Sequence, residues 1–294
     1  MKIAVTGAFG YSGRYIAQRL LDAGHSVITL TNSLRRENPF GDRVAAFPFN
    51  FDNRVALAES LAGVDALINT YWVRFDHALF THDEAVANTK TLFAAAKRAG
   101  VRRIVHISIT NPDLHSALPY FRGKAELELA LQSLGVSHCI LRPTVLFGRE
   151  DILINNLAWG LRHLPVFAVF GAGDYRLQPI HVDDLAAACV DQAAGSENQI
   201  INAIGPETFS YRGLVETVRA TLGLIRPILS LPPEIAYLGC RALGIFTRDV
   251  VITRQEIEGL MEDRLYVDAP PLGATSLTHW IKANRQTLGL HYTS

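Results

Sequence analysis

The sequence predicts an α/β protein with a doubly wound parallel sheet, joined to a smaller and mostly helical C-terminal lobe. Three observations support this fold class. Short apolar segments typical of buried strands alternate with segments of helical apolar spacing through the first half of the chain. A glycine-rich turn separates the first strand from the first helix. Beyond about residue 150, amphipathic helices and proline-rich connections replace the alternation.

The first half of the chain contains six predicted strands. It starts with a strand at residues 2–5, a turn at 6–13 and a helix at 14–24, which ends at Gly24. Further strands are predicted at 25–30, 45–52, 66–70, 103–108 and 137–142, with helices at 82–100 and 118–134. Alternation of this kind builds a parallel sheet, and ligands bind at the carboxyl ends of its strands.

The turn at residues 6–13 has the glycine spacing of a dinucleotide-binding fingerprint and the strand–turn–helix context that this fingerprint requires. Gly7 permits the tight turn, Gly10 lets the backbone approach a pyrophosphate, and Gly13 allows close packing of helix on strand. The N–H groups at the start of the helix then bind phosphate. The segment therefore predicts a Rossmann-type nucleotide site.

The end of the second strand favours NADP(H) over NAD(H). NAD-binding proteins usually carry an Asp or Glu there for the ribose hydroxyl, whereas this chain has no carboxylate before Glu37. Thr31 and Asn32 leave room for a 2′-phosphate, which Arg35 or Arg36 can bind through charge-assisted hydrogen bonds. The alternative is that both arginines lie in a solvated loop.

Two domains are predicted. Residues 1–149 and 178–205 form the NADP-binding domain, and residues 150–177 and 206–294 form a substrate-side lobe. Near their junction, His181, Asp183 and Asp184 precede a helix that is predicted to begin near Leu185. We interpret one aspartate as the N-cap of that helix. A metal site is the less favoured alternative, and no metal is predicted.

Composition predicts a soluble, cytoplasmic protein. The 294 residues carry 28 basic and 28 acidic side chains, so the chain lacks the electrostatic footprint of a nucleic-acid-binding protein. Cys139, Cys189 and Cys240 are widely spaced and form no CxxC unit, which predicts free thiols in a reducing compartment. The most apolar stretch, residues 231–246, contains two charged residues and is too short for a membrane span.

Tyr120 and Lys124 are the principal candidates for chemistry. Positions i and i+4 share a helix face, so their side chains can meet. A phenol has a pKa near 10, and an ammonium group within about 4–6 Å favours its ionised form. Beside a nucleotide turn, the pair predicts a site where a proton is moved next to a nicotinamide. The alternative is a partly buried tyrosine beside a lysine that extends to solvent.

Four features together resemble an extended or atypical short-chain dehydrogenase/reductase: the turn at 6–13, the Tyr120/Lys124 pair, and the segments 141–148 and 179–184. The segment 147–151, followed by Asn155 and Asn156, resembles more specifically the atypical branch that includes the accessory nucleotide-binding subunit of respiratory complex I. The resemblance covers residues 1 to about 190 well and the C-terminal lobe only loosely.

The resemblance implies a role for each matching residue. In active members of the family the tyrosine is the general acid/base, and the lysine lowers its pKa and holds the nicotinamide ribose. Tyr120 and Lys124 match these positions. Four further residues match family positions: Asn88 the support of a proton-relay water, Asp52 the adenine contact, and Pro143 and Thr144 the segment that faces the carboxamide.

The family serine that binds the substrate oxygen aligns with Ile109, whose side chain has no hydrogen-bond donor. Either Ser108 or Thr110 supplies a hydroxyl from a shifted loop, or the substrate oxygen meets no hydroxyl donor. The connection from Thr110 to Tyr120 is also shorter than extended members usually have. Both departures fit the branch whose complex I member holds its nucleotide without evident turnover.

The predicted site combines these segments. The catalytic candidates are Tyr120, Lys124, Ser108, Thr110 and Asn88. The substrate candidates are Tyr71, Trp72 and Phe147, because aromatic side chains can stack a flat apolar substrate; the alternative for the first two is that they pack the second lobe. The predicted cofactor contacts are Thr6, Gly7, Phe9, Gly10, Tyr11, Gly13, Thr31, Asn32, Arg35, Arg36, Asp52, Asn69, Thr70, Tyr71, Lys124, Pro143, Thr144 and Val145.

Three functions stay open on the sequence. The first is an NADP(H)-dependent oxidoreductase that reduces a carbonyl, quinone-like or sugar-like small molecule. The second is a non-catalytic protein in which bound NADPH stabilises the fold or an assembly. The third and weakest is a sugar-nucleotide epimerase. The predicted partner is a small-molecule substrate, with no nucleic acid and no membrane span, and the chain is expected to be a monomer or a homodimer.

Overall fold

The computed structural model describes residues 1–78 and 80–293 and divides the chain into two compact units. The first unit contains residues 1–143 and 182–202, and the second contains residues 144–181 and those from 203 onward. Each unit is therefore assembled from two separate stretches of chain. The boundaries expected from the sequence, at residues 149, 177 and 205, lie a few residues from these changeovers.

The helices and strands are named in chain order. The strands are β1 (Lys2–Thr6), β2 (Ser26–Leu30), β3 (Val44–Phe47), β4 (Ala66–Asn69), β5 (Arg103–Ile107), β6 (Ser137–Pro143), β7 (Leu146–Phe147), β8 (Phe167–Phe170), β9 (Arg176–Leu177), β10 (Ile180–His181), β11 (Gln199–Ala203), β12 (Phe209–Ser210) and β13 (Ile228–Leu231). The helices are α1 (Tyr11–Asp22), α2 (Arg54–Ser60), α3 (His82–Arg98), α4 (Pro119–Gln132), α5 (Leu153–His163), α6 (Val182–Ala194), α7 (Tyr211–Thr221), α8 (Pro233–Thr247), α9 (Arg254–Met261) and α10 (Leu277–Asn284).

The first unit is built on a seven-stranded sheet with the order β11-β6-β5-β4-β1-β2-β3. The pairings from β6 through β3 are all parallel, and Ile3 of β1 lies between Val27 of β2 and Ala66 of β4. The chain runs outward from β1 to β3 and then returns to place β4 on the other side of β1. This reversal is the switch point at which doubly wound sheets bind ligands. The predicted α/β fold class is confirmed.

Helices flank this sheet. Helix α1 packs on α6, and α3 packs on both α2 and α4. The central strands are buried: Leu67, Ile104 and Ile140 have no exposed surface. Near-continuous apolar strands of this kind are typical of parallel sheets that are covered on both faces.

The third strand is shorter than the sequence predicted. It ends at Phe47 rather than at residue 52. Asn50 has a φ of +47°, in the left-handed region, so the backbone is no longer extended at this residue, although apolar residues continue to alternate beyond it. Phe49 and Phe51 nevertheless stack on each other, with ring centroids 4.7 Å apart. The apolar pattern here therefore reports side-chain packing rather than strand.

Helix α6 begins at Val182 rather than near Leu185, so the prediction that an aspartate caps it is wrong. Asp183 and Asp184 lie in its first turn, where carboxylates interact favourably with the helix dipole. Asp183 also forms an ion pair with Arg19 of α1, with 2.6 Å between Nε and Oδ1.

The second unit is mostly helical and contains short two-stranded sheets. Strands β8 and β13 pair in parallel, as do β7 and β10, whereas β9 and β12 are antiparallel. Its core includes buried side chains from α5, α7, α9 and α10, among them Leu157, Leu214, Ile257 and Ile281.

The structure also bears on the predicted cysteine chemistry and on membrane spans. All three cysteines are free thiols as predicted; Cys139 and Cys189 are buried, and Cys240 is half-buried. Across the two described ranges, no helix combines the length and the apolar character that a membrane crossing requires.

Candidate active site

The glycine turn joins β1 to α1 in the first unit. Gly7 has a φ of +66°, which favours glycine, and its N–H donates to the carbonyl of Leu30 at 2.9 Å. A Cβ on Gly13 would lie at or inside 3.0 Å of the Gly7 carbonyl group and of the Ala8 Cα. Gly13 thus lets α1 start directly against the turn. Gly10 is the N-cap and offers no side-chain hydrogen bond to the helix.

A buried polar network ties the carboxyl ends of β1 and β4 together. The Thr6 hydroxyl accepts hydrogen bonds from the N–H groups of Thr70 (2.7 Å) and Tyr71 (3.0 Å) and donates to Asn69 Oδ1 at 3.1 Å. The Thr70 hydroxyl donates to the Thr6 carbonyl at 2.5 Å. Thr6, Asn69 and Thr70 were predicted as cofactor contacts, and their side chains here shape the strand edge beside the glycine turn.

The network continues to His106 of β5, which the sequence reasoning missed. Asn69 Nδ2 and His106 Nδ1 are 3.0 Å apart, and neither residue has exposed surface. Complete burial and the nearby Lys124 ammonium hold the pKa of His106 well below its usual value, so the ring is neutral. The signal available in the sequence was one histidine between the apolar residues Val105 and Ile107.

Tyr120 and Lys124 lie on the same face of α4, as their spacing predicted. Lys124 is 2% exposed, and its Nζ donates to the carbonyl of Ile107, at the end of β5, over 2.8 Å. Burial lowers the pKa of Lys124 to about 7, and the Glu128 carboxylate acts in the opposite direction. Tyr120 is half-buried at the start of the helix. The lysine does not extend to solvent.

Trp72 and His82 surround this pair. The Trp72 ring centroid lies 4.3 Å from Lys124 Nζ and 5.6 Å from the Tyr120 ring, which it meets edge-on. The His82 ring lies 5.7 Å from the Tyr120 ring, and its Nδ1 is 2.7 Å from Asp76 Oδ1. Desolvation lowers the pKa of His82, against the effect of Asp76. His82 was not predicted, because a histidine opening a helix carries no distinctive sequence signal.

Tyr71 lies in an aromatic cluster and is hydrogen-bonded to Asn88. Asn88 Nδ2 donates to the Tyr71 hydroxyl at 3.0 Å, and the Tyr71 ring packs against Phe49, Phe51 and Phe80 with centroids 4.8–5.6 Å away. Burial raises the pKa of Tyr71 to about 12, so its phenol stays protonated at neutral pH. The structure therefore joins the proposed relay asparagine to Tyr71.

The three residues at the predicted serine position have different surroundings. Ser108 is buried, and its hydroxyl donates to Glu128 Oε1 at 2.5 Å. Glu128 also pairs with the guanidinium of Arg142, whose Nε lies 3.0 Å from Oε1. Ile109 is 7% exposed, and Thr110 is fully buried with its N–H bonded to the Pro143 carbonyl at 3.0 Å.

The residues predicted for the adenosine half differ in exposure. Thr31 is buried and its hydroxyl accepts from the Ser33 N–H at 3.0 Å. Phe9 is buried, and Tyr11 packs edge-on against Tyr15 at the start of α1. Exposed side chains make up the rest of this group: Asn32, Arg35, Arg36 and Asp52.

Three predicted site residues belong to the second unit. The Thr144 hydroxyl donates to the Gln178 carbonyl, and the Val145 carbonyl accepts from the Ile180 N–H at 2.9 Å. Phe147 has no exposed surface and packs against His181 and Trp280, with centroids 5.1 and 5.6 Å away. Its side chain therefore contributes to the core of this unit.

The first unit has the features that a dinucleotide requires. An uncapped helix N-terminus follows a turn with a left-handed glycine, at the switch point of a parallel sheet. A tyrosine and a buried lysine lie on one helix beside the end of β5. These features define an NAD(P)-binding protein of the short-chain dehydrogenase/reductase type.

Comparison with known proteins gives the family. The model of the NAD dependent epimerase/dehydratase family matches residues 3–203, and the chain belongs to this family. It is 30% identical over 233 residues to the (4-alkanoyl-5-oxo-2,5-dihydrofuran-3-yl)methyl phosphate reductase of Streptomyces griseus, covering 77% of this chain and 75% of that protein.

A second relative is a subunit of mitochondrial NADH dehydrogenase. The chain is 26% identical over 223 residues to the mitochondrial NADH dehydrogenase (ubiquinone) 1 alpha subcomplex subunit 9 of Arabidopsis thaliana; the match covers 72% of this chain but only 56% of that subunit's length.

Among solved structures, triphenylmethane reductase of Citrobacter sp. complexed with NADP(H) superposes with a TM-score of 0.78 at 18% identity, covering 96% of this chain and 99% of that one. This likeness shows the fold.

Proposed function

We propose that the protein is an NADP(H)-dependent reductase of a small carbonyl or quinone-like molecule, with Tyr120 as the proton donor. The observation that carries the proposal is the position of Lys124, whose buried amine lies one helical turn from Tyr120 and bonds to the end of β5. A cation in that place favours ionisation of the phenol. Most lysines instead keep the amine in water and bury only the aliphatic stem.

The residues present fit a nicotinamide dinucleotide. The glycine turn and the start of α1 would hold the pyrophosphate, and Lys124 would hold the nicotinamide ribose. Arg35 and Arg36 are exposed, and the loop that leads to them from β2 contains no carboxylate. Both features suit the binding of a 2′-phosphate. The bound cofactor supplies the hydride.

The protein supplies the proton. As the substrate carbonyl carbon gains the hydride, its oxygen takes the proton of the Tyr120 hydroxyl, which gives the alcohol. The Lys124 ammonium stabilises the phenolate left on Tyr120, which later regains a proton from solvent. The aromatic ring of Trp72 beside the pair suits a flat, apolar acceptor.

The test is oxidation of NADPH by the purified protein with a panel of quinones, aldehydes and ketones. General acid catalysis is worth roughly 10²- to 10⁴-fold, so Tyr120→Phe is expected to lower kcat by that factor while NADPH still binds. Tyr237→Phe, in the second unit, is the matched control and should keep full activity. Equal kcat values for Tyr120→Phe and the unaltered protein contradict the assignment.

A second candidate function is that of a nucleotide-holding protein without turnover. Two observations favour this alternative. The Ser108 hydroxyl is hydrogen-bonded to Glu128, and Ile109 stands where the family has its serine. Tight binding of NADPH with no oxidation by any member of the panel, and an increase in thermal stability on binding, would support it.

A further inference from the structure

Trp72, which follows β4, makes contact with both members of the candidate catalytic pair. Its ring centroid lies 4.3 Å from Lys124 Nζ, and the ring meets that of Tyr120 edge-on at 5.6 Å and 83°. Cation–π attraction holds for an ammonium within about 6 Å of a ring centroid. The indole is therefore in range to stabilise the amine and to orient the phenol at once.

The backbone of α4 has room for this indole because residue 123 is glycine. A Cβ on Gly123 would lie 2.9 Å from Cη2 of Trp72 and 2.9 Å from Cγ2 of Val86, closer than real Cβ contacts come. Glycine in a helix interior is destabilising relative to alanine. Here it admits the indole between Tyr120 and Lys124, which flank it on the same helix.

The amine of Lys124 is held on two sides. On one side Nζ donates to the Ile107 carbonyl at 2.8 Å, and on the other it faces the Trp72 ring. Fixing a lysine side chain costs rotamer entropy, so contacts of this kind are needed to keep the amine at the end of β5 rather than in solvent.

The indole is not oriented by its own N–H. Trp72 Nε1 is buried and finds no hydrogen-bond partner among residues 1–78 and 80–293. The contacts that orient the ring are those with Lys124, Tyr120 and His82.

We propose that Trp72 is a positioning residue of the reductase: its indole face holds the Lys124 ammonium at the end of β5, and its perpendicular contact with the Tyr120 ring sets the orientation of that ring. The proposal rests on the proposed function for its catalytic consequence, but the contact itself has a consequence for Lys124 in the resting protein. Trp72 then acts through the pair and not only by stacking the acceptor.

The test compares Trp72→Leu, which keeps apolar volume without a ring, with Trp72→Phe, which keeps a smaller aromatic face. The readout is the titration of the Lys124 ε-carbon by NMR in ¹³C-lysine-labelled protein. The chain has five lysines, so Lys124→Arg assigns the signal. The ionisable groups that interact electrostatically with the amine are Glu128 on α4, His106 on β5 and His82 on α3, and Tyr120 lies one turn away on α4.

Loss of the ring removes a contact that favours the charged amine, so Trp72→Leu is expected to lower the pKa of Lys124 by about one unit. The Trp72→Phe value should lie between the two. With an acceptor that the unaltered protein reduces, kcat for Trp72→Leu should be roughly tenfold lower. The kcat of Trp72→Phe should lie between those of Trp72→Leu and the unaltered protein.

Two results are distinguishable. Unchanged Lys124 titration in Trp72→Leu, or the same titration in the Leu and Phe variants, overturns the positioning role. Absence of turnover in the unaltered protein contradicts the reductase function, while the Lys124 titration still decides whether Trp72 holds the amine. Trp159→Phe, in the second unit, is the control and should leave the titration unchanged.

Discussion

Glu128 explains why one sequence candidate for the substrate hydroxyl faces another partner. Tyr120, Lys124 and Glu128 follow each other at four-residue intervals on one face of α4. The buried Glu128 carboxylate needs hydrogen-bond donors, and Ser108 and Arg142 provide them. In the resting protein the Ser108 hydroxyl is therefore engaged by Glu128.

Asp151 of the second unit gives a residue-scale prediction about pH. It is 1% exposed; Oδ1 accepts from the Ile154 N–H at 2.6 Å, and Oδ2 has no hydrogen-bond partner within the described part of the chain. Burial raises its pKa to about 7, against three backbone hydrogen bonds. The protonated form is thus favoured in the folded state. Its stabilisation is complete below the unfolded pKa near 4 and is lost as pH rises through about 7.

We expect Asp151→Asn to remove this dependence, because the amide keeps the oxygen acceptor and does not ionise. The free energy of unfolding of the variant relative to the unaltered protein should rise by a few kcal/mol between pH 4 and pH 7.5. Urea unfolding at intervals across that range measures it. Asp174→Asn, at an exposed position of the same unit, is the control. A difference that does not change with pH contradicts the assignment.

At the scale of elements, the junction of β1 and α1 depends on the missing side chain of Gly13. A Cβ there would meet backbone atoms of Gly7 and Ala8, which cannot rotate away as a side chain would. We expect Gly13→Ala to destabilise the protein by about 1–3 kcal/mol through overpacking and to abolish NADPH binding by displacing the start of α1. Thermal unfolding and calorimetric titration with NADPH measure the two effects.

Gly239 provides the matched control for that substitution. It lies within α8, and a Cβ added there meets no atom within 4 Å. Gly239→Ala should therefore stabilise the helix by about 0.5–1 kcal/mol and leave NADPH binding unchanged. If Gly13→Ala behaves like Gly239→Ala, the close approach of α1 to the turn is not needed for binding.

At the scale of the whole molecule, the sequence predicted what depends on local pattern. Strand and helix alternation and the turn around Gly7 were enough for the parallel sheet, and the four-residue spacing placed Tyr120 and Lys124 on one face. Contacts between segments that are distant in the sequence could not be predicted from it. The seat of Trp72 against Gly123, for example, depends on how α4 packs on the segment after β4, which no local spacing encodes.

The proposed preference for NADPH also belongs to the whole molecule, since it depends on which loop the sheet presents beyond β2. That loop carries exposed Arg35 and Arg36 and no carboxylate before Glu37. A hydrogen bond to a charged group contributes about 1.5–3 kcal/mol, so we expect NADPH to bind at least about tenfold more tightly than NADH. Calorimetric titration of both nucleotides tests this.

The double variant Arg35→Ala/Arg36→Ala should lose that advantage while its affinity for NADH stays the same, because only NADPH carries the 2′-phosphate. Arg98→Ala, an exposed arginine at the end of α3, is the control and should change neither affinity. The advantage should also shrink as salt is added, since exposed charges are screened within about 10 Å at 0.1 M ionic strength. Equal affinities in the unaltered protein, or a preference for NADH, contradict the assignment of these arginines.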